Sequence, residues 1–200
     1  MADGLNGPPP PIWSGILGLP KAARLAGRIG DGVILQPYLT PEAVRRAVVW
    51  IREERERVGG DPAGIRICAP VVIACELDDH ETAALTRGRL VTYLQMKAYA
   101  DGFAQVNDWD PAPMLAIQNH HQFANLDRAN ADQAFHRDQL LKPGALIPDD
   151  WINDASAVGS VGQCVRKIEE FKSAGADEVA LYGSTPMQNT AFLEGWRQDS

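Results

Sequence analysis

Two turns in this chain carry residue types that can hold an anion. Gly18, Pro20 and Lys21 stand where an apolar run, residues 12–17, passes into a helical pattern. A glycine lets a ligand approach the backbone, and a helix start offers free N–H groups and the positive end of the helix dipole. Lys21 adds a charge. The same residues also serve a plain strand-to-helix turn, with proline at the first helical position. Gly183, Ser184 and Thr185 follow the last apolar run and precede Pro186. They offer a phosphate or substrate contact, or simply a polar turn. Gln36 and Tyr38 follow the second apolar run, residues 31–35, and are candidates to line a substrate pocket, with loop chemistry as the equal alternative.

Other chemistries lack their signatures. His80, His120, His121 and His136 show no HxxxH or HExxH spacing, so no metal site is expected. There is no GxSxG, no Walker loop and no GxGxxG; Gly15 and Gly18 lack the third glycine of a dinucleotide fingerprint. Cys68, Cys75 and Cys164 are far apart with no CxxC, and read as reduced, buried thiols. Nineteen basic against 26 acidic residues leave a net charge of −7 without a basic cluster, which argues against a nucleic-acid partner. No run approaches the ~18 apolar residues of a membrane span. The first residues lack the basic start and apolar core of a signal peptide, which makes the cytoplasm the expected location.

Regular elements must position these turns. The 200 residues are 45% apolar and 22% charged, an ordinary globular composition. After a Pro-rich leader, residues 1–11, the pattern alternates. Residues 12–17 read as a buried strand. Pro20 opens a helix whose apolar face is Ala22, Leu25, Ala26 and Ile29, with Gly30 as a left-handed stop. Residues 31–35 are the second strand. Thr40 caps a helix that buries Val44, Ala47, Val48 and Ile51 and turns a charged face, Arg45 to Arg57, to solvent. Residues 65–75 are a third, continuously apolar strand, in which Pro70 implies a bulge or a missing ladder bond. Asp78 or Asp79 caps a helix reaching about Met96. Residues 97–147 read as an insertion of short helices. Ser160 and Gln163 form a capping box, the helix behind it stops at Gly175, and residues 177–181 are the fourth strand.

Strands alternating with helices mean βα units and a parallel sheet. A complete (β/α)8 barrel needs about 250 residues. Four strands and a long insertion make either a small open α/β sheet or about half of a barrel. Two open strand edges then favour association, either of the chain with itself or with a complementary half-barrel.

Several segments in order resemble one family. They are Leu17-Gly18-Leu19-Pro20-Lys21, Leu25-Ala26-Gly27, Asp31-Gly32-Val33-Ile34-Leu35, Thr40-Pro41-Glu42-Ala43-Val44, Leu90-Val91-Thr92-Tyr93-Leu94-Gln95, Val158-Gly159-Ser160, Ala174-Gly175-Ala176-Asp177 and Gly183-Ser184-Thr185-Pro186. Together they resemble the luciferase-like monooxygenase superfamily, and within it the coenzyme F420-dependent oxidoreductases. The resemblance spans nearly the whole chain and implies the C-terminal half of a TIM-type barrel, strands five to eight. It implies hydride chemistry on a deazaflavin, or alternatively on FMN, with a small organic substrate. By resemblance, Gly18, Pro20 and Lys21 would line the cofactor pocket near its phosphate tail, although Leu19 is inserted into the family's Gly-Pro-Lys. Gly183, Ser184 and Thr185 would join them. The family's usual acid/base candidates lie in the other half, so no catalytic residue is assigned. The alternative is a truncated, non-catalytic half-barrel that serves as a partner subunit or is a gene remnant.

Overall fold

The computed structural model describes residues 9–124, 126 and 131–199. Most of the Pro-rich leader therefore lies outside the described residues; positions 9–11 have no regular structure and are exposed. Five strands form one sheet: β1 (Trp13–Ile16), β2 (Gly32–Leu35), β3 (Arg66–Cys75), β4 (Ser156–Gly159) and β5 (Glu178–Tyr182). Every pairing is parallel. Parallel neighbours need crossover connections. The helices α1 (Pro20–Ile29) and α2 (Pro41–Arg57) provide those for β1–β2 and β2–β3, while α10 (Val161–Ser173) carries the chain from β4 past β3 to β5. Among the described residues no helix is long and apolar enough to cross a membrane.

The fold is the α/β arrangement of βα units expected, with one strand more than the four expected. β4 is that strand. Its four residues, Ser-Ala-Val-Gly, give too short a run to stand out before the Ser160 cap. β3 is the hub of the sheet. It pairs with β2 over Arg66–Cys68, with β5 over Cys68–Val72 and with β4 over Val72–Cys75. Pro70 falls after the last β2 pair and before the first β4 pair, where a missing N–H costs no bond to either, and its register with Ala180 is unbroken. There is thus no bulge against β5.

Caps fix where the helices begin. The Thr40 side chain accepts from the Ala43 N–H at 3.1 Å. Ser160 and Gln163 make the reciprocal capping box expected of them. Asp78 caps α3 (Asp79–Leu85), its carboxylate accepting from the Glu81 N–H at 2.8 Å. The long helix expected from there to Met96 is interrupted at Thr86, after which α4 (Arg87–Leu94) begins. The Thr86 hydroxyl donates to the Thr82 carbonyl at 2.7 Å, a local bond that competes with the helical ladder.

Packing of α1 on α2 follows from Gly27. A Cβ there would collide with the Ile51 carbonyl, so glycine lets the two backbones touch. This rotates α1 from its expected face. Ala23, Ala26 and Gly27 are buried, whereas Leu25 and Ile29 are 54% and 61% exposed. Gly30 stops α1 in an extended conformation at φ −89° rather than a left-handed one. α2 buries Val44, Ala47, Val48 and Ile51 as its periodicity predicts. Its charged face holds one exception. The Glu54 carboxylate is 6% exposed and paired with Arg28 at 2.7 Å and Arg57 at 2.6 Å. Hydrogen bonds from these guanidinium groups hold its pKa down at about 2.

Residues 97–147 are more regular than expected at their start. α5 (Lys97–Asn107) is an eleven-residue helix, followed by α6 (Pro111–Gln118), capped by Asp110. Short helices α7 (Ala131–Ala134), α8 (Leu141–Gly144) and α9 (Asp149–Ala155) lead to β4. Trp109 stacks on Trp151 with centroids 4.5 Å apart, joining this region to α9.

The two faces of the sheet differ. Val33, Leu35, Ile67, Val71 and Ile73 are at most 2% exposed. The other face is open on β1 and β2, where Trp13 is 38% exposed and Ile34 43%, but Val72 and Ala74 on β3 are fully buried there. β1 is therefore a half-exposed edge strand rather than the buried one expected.

Candidate functional site

In a sheet of parallel strands the loops after the C-terminal strand ends gather on one rim, where such folds bind ligands. After β1 comes Gly18 with φ +89°, a left-handed turn that favours glycine. A Cβ there would meet Leu39, Ala47 and Val106 side chains at 3.3 to 3.6 Å, so the glycine faces packed side chains. Pro20 is the first residue of α1, and Leu19 before it supplies no side-chain cap. The N–H groups of Lys21 and Ala22 have no hydrogen-bond partner among the described residues, and the Lys21 side chain is exposed. Free amides beside an exposed ammonium suit an anionic tail such as the phosphate of a flavin or deazaflavin. The glycine supplies the turn; the amides and Lys21 would supply the contact.

After β2, the Gln36 N–H extends the ladder to the Ile16 carbonyl at 2.9 Å, and its side chain is half-buried. Tyr38 has φ +66°, unusual for an aromatic residue, and is fully buried. Its hydroxyl lies 2.8 Å from the Thr86 carbonyl and 3.2 Å from that of Leu85. Burial pushes its phenol pKa well above the ordinary value. Asn107 clamps this loop: its Nδ2 donates to the Tyr38 carbonyl at 2.8 Å, and its Oδ1 accepts from the Thr40 N–H at 3.0 Å.

After β5, Gly183 turns with φ +89°. The Ser184 hydroxyl hydrogen-bonds Asn189 at 2.7 Å, and the Thr185 N–H donates to Gln188 at 3.0 Å. Both bonds are local to the loop before α11 (Thr190–Asp199).

Beside Gly183 is a cluster that spacing alone could not pair. Arg89 on α4 donates from Nη1 to the Tyr182 hydroxyl at 3.1 Å, and its guanidinium lies 5.0 Å from the centroid of that ring. Tyr182 in turn sits 3.0 Å, oxygen to oxygen, from Tyr93, one helical turn beyond Arg89. Tyr93 meets Tyr38, Tyr99 and Phe103 edge-on at about 6 Å. Burial raises the Tyr93 phenol pKa, and the hydrogen bond to Tyr182 raises it further. The available signal was Arg89 and Tyr93 at i and i+4 on a helix that buries Gly88, Leu90, Val91 and Leu94.

The remaining chemistry-bearing residues are placed elsewhere. Cys68, Cys75 and Cys164 are free and buried, and burial pushes their thiols up, away from nucleophilic thiolates. His120 packs against His121, and burial lowers its pKa. Among the described residues no group of three His, Cys, Asp or Glu side chains could hold a metal ion.

Comparison with known proteins assigns this architecture. The luciferase-like monooxygenase family profile matches residues 2–178. Among solved structures, the coenzyme F420-dependent tetrahydromethanopterin reductase from Methanopyrus kandleri matches 92% of this chain and 49% of its own, at 21% identity and a TM-score of 0.62. An F420-dependent secondary alcohol dehydrogenase, solved with an F420-acetone adduct, matches 92% of this chain and 46% of its own, at 18% identity and a TM-score of 0.55. No curated protein sequence matches the chain. The chain spans about half the length of the solved structures it matches. With a parallel βα sheet shared with both, and a family match over most of its length, the chain belongs to the luciferase-like monooxygenase family.

Proposed function

We propose that this chain contributes the C-terminal half of an oxidoreductase barrel that binds coenzyme F420 and passes a hydride between the deazaflavin and a small organic substrate. The observation that carries the reading is the start of α1. It presents unpartnered amides and an exposed lysine on the ligand-binding rim of a luciferase-like fold. F420 is named in both similar structures above, and FMN is the alternative within the family. The bound cofactor would supply the hydride chemistry. Lys21 and the amides of α1 would hold its anionic tail. The packed aromatic wall of Tyr38, Tyr93 and Phe103 would keep water from the rim beside it.

The test is a fluorescence titration of the chain with oxidised F420, with FMN as control. Saturable micromolar binding that weakens in Lys21→Glu supports the reading. A folded chain that binds neither cofactor overturns it for this chain.

A second reading is favoured by the half-exposed sheet face with Trp13 and Ile34. In it the chain is a non-catalytic partner subunit, associating with itself or with a complementary half-barrel. Light scattering tests the association: a dimer or larger species is expected, and a stable monomer counts against it.

A further inference from the structure

The Arg89 cluster is a ligand site of a different kind from the α1 start. Arg89 is half-buried, and among the described residues no carboxylate lies within ion-pair distance of it. Its one hydrogen bond there runs from Nη1 to Tyr182, which leaves Nε and Nη2 without a partner. That Nε/Nη2 edge stays open to solvent, and it is the edge that takes a carboxylate or phosphate in bidentate fashion. The π-face contact with Tyr182 and the Tyr182–Tyr93 hydrogen bond orient the group from two sides.

Space is present on the same side. A cavity of about 160 Å³ is lined by Arg89, Thr92, Tyr93, Tyr99 and Tyr182. A second, of about 350 Å³, also lined by Arg89 and Thr92, adds Arg137 and His136. Asp132 borders both and makes no ion pair with Arg89. Two guanidinium groups against one carboxylate leave the lining net positive. Gly183 keeps the approach open: a Cβ there would lie 3.7 Å from Arg89 Nε, and any longer side chain would reach over that edge.

We propose that Arg89, with the hydroxyls of Tyr93 and Tyr182, recognises the oxyanion of a small organic substrate, a carboxylate or a phosphate, at the C-terminal end of β5. Arg89 makes the bidentate contact, the one phenol O–H not spent between Tyr93 and Tyr182 supplies a further hydrogen bond, and Tyr99 offers an apolar flank for the organic part. The word substrate rests on the oxidoreductase reading above; the anion binding does not.

The experiment titrates the isotope-labelled 200-residue chain with benzoate and with inorganic phosphate, using benzyl alcohol as the neutral control. The Arg89 Nε–H signal and the α4 amides are followed by NMR. Either anion is expected to shift the Arg89 signal saturably in the millimolar range, while benzyl alcohol does not. Arg89→Met should weaken binding at least about ten-fold, and Tyr182→Phe, which keeps the ring, by about two- to ten-fold. Arg89→Lys should fall between wild type and Arg89→Met, because it keeps the charge and loses the fork. A preference for benzoate points to a carboxylic acid substrate, and one for phosphate to a phosphorylated one. The proposal is overturned if neither anion moves Arg89, or if a folded Arg89→Met chain binds as well as wild type. Should Arg89→Met not fold, the Arg89 signal in the native chain and Tyr182→Phe decide the matter. A chain that ignores F420 yet binds anions through Arg89 would sink the cofactor reading and leave this site standing. One that binds F420 but neither anion does the reverse.

Discussion

Ile34 and Ile67 lie on neighbouring strands, one residue apart in register, and have opposite fates. Ile67 is fully buried beneath the helices, while Ile34 is 43% exposed on the reverse of the sheet. The side chains are identical, so residue type does not explain the difference. What separates them is whether a layer lies over that face. α1, α2 and α10 cover one side. On the other, among the described residues, α4 reaches only the C-terminal end, where Arg89 and Tyr93 meet Tyr182. Apolar residues on both faces match a strand meant to be covered twice. On β1 and β2 only one of the two covers is present among the described residues.

Five substitutions break or sharpen this contrast. The largest effect is expected for Ile67→Ala, which leaves a cavity under the helices and should cost about 2–5 kcal/mol in urea unfolding. Ile34→Ala should cost no more than about 1 kcal/mol, and equal costs would refute the contrast. Next is Gly27→Ala. Its new methyl forces α1 off α2, and a net loss of about 1–3 kcal/mol is expected despite the better helix propensity of alanine, read as a lowered Tm. Glu54→Gln probes the covered side by charge. The carboxylate pKa is depressed to about 2, so its contribution is fully present above the unfolded value near 4.5 and is lost as pH falls toward 2. The stability gap between wild type and Glu54→Gln should narrow through that window, and a gap constant with pH would discount the Arg28 and Arg57 pairing. The smallest effect on stability is expected of Ile34→Glu, which places a charge on the open face. It should leave the melting temperature nearly unchanged while lowering the mass seen by light scattering.

Legibility followed the range of the interactions. The caps at Thr40, Asp78 and Ser160 join residues three apart, and each formed as its spacing implied. The buried face of α2 is a local periodicity and was equally plain. The face of α1 was misread because it depends on Gly27 meeting Ile51, a contact between elements that no pattern within α1 encodes. β4 went unseen because four small residues become a strand only against the end of β3. The Arg89–Tyr182 pair spans 93 positions, so helix spacing put Arg89 and Tyr93 on one face but could not say what that face would meet. For the rim turns, glycine and proline announced the turns themselves. They did not reveal that the open side of Gly18 is filled by Leu39, Ala47 and Val106.

The clamp at Asn107 has a consequence for timing. Tyr38 and Asn107 are 69 residues apart, yet that amide holds the left-handed backbone of Tyr38 while its hydroxyl is held by the Thr86 carbonyl. The β1–α1–β2 unit can condense from nearby contacts, whereas this fastening waits for a long loop to close and for α5 to arrive. A chain emerging from the ribosome would thus have its first βα units in place while the rim beside them was still unset. The rim would set later than the secondary structure, with the delay governed by the arrival of Asn107 on α5.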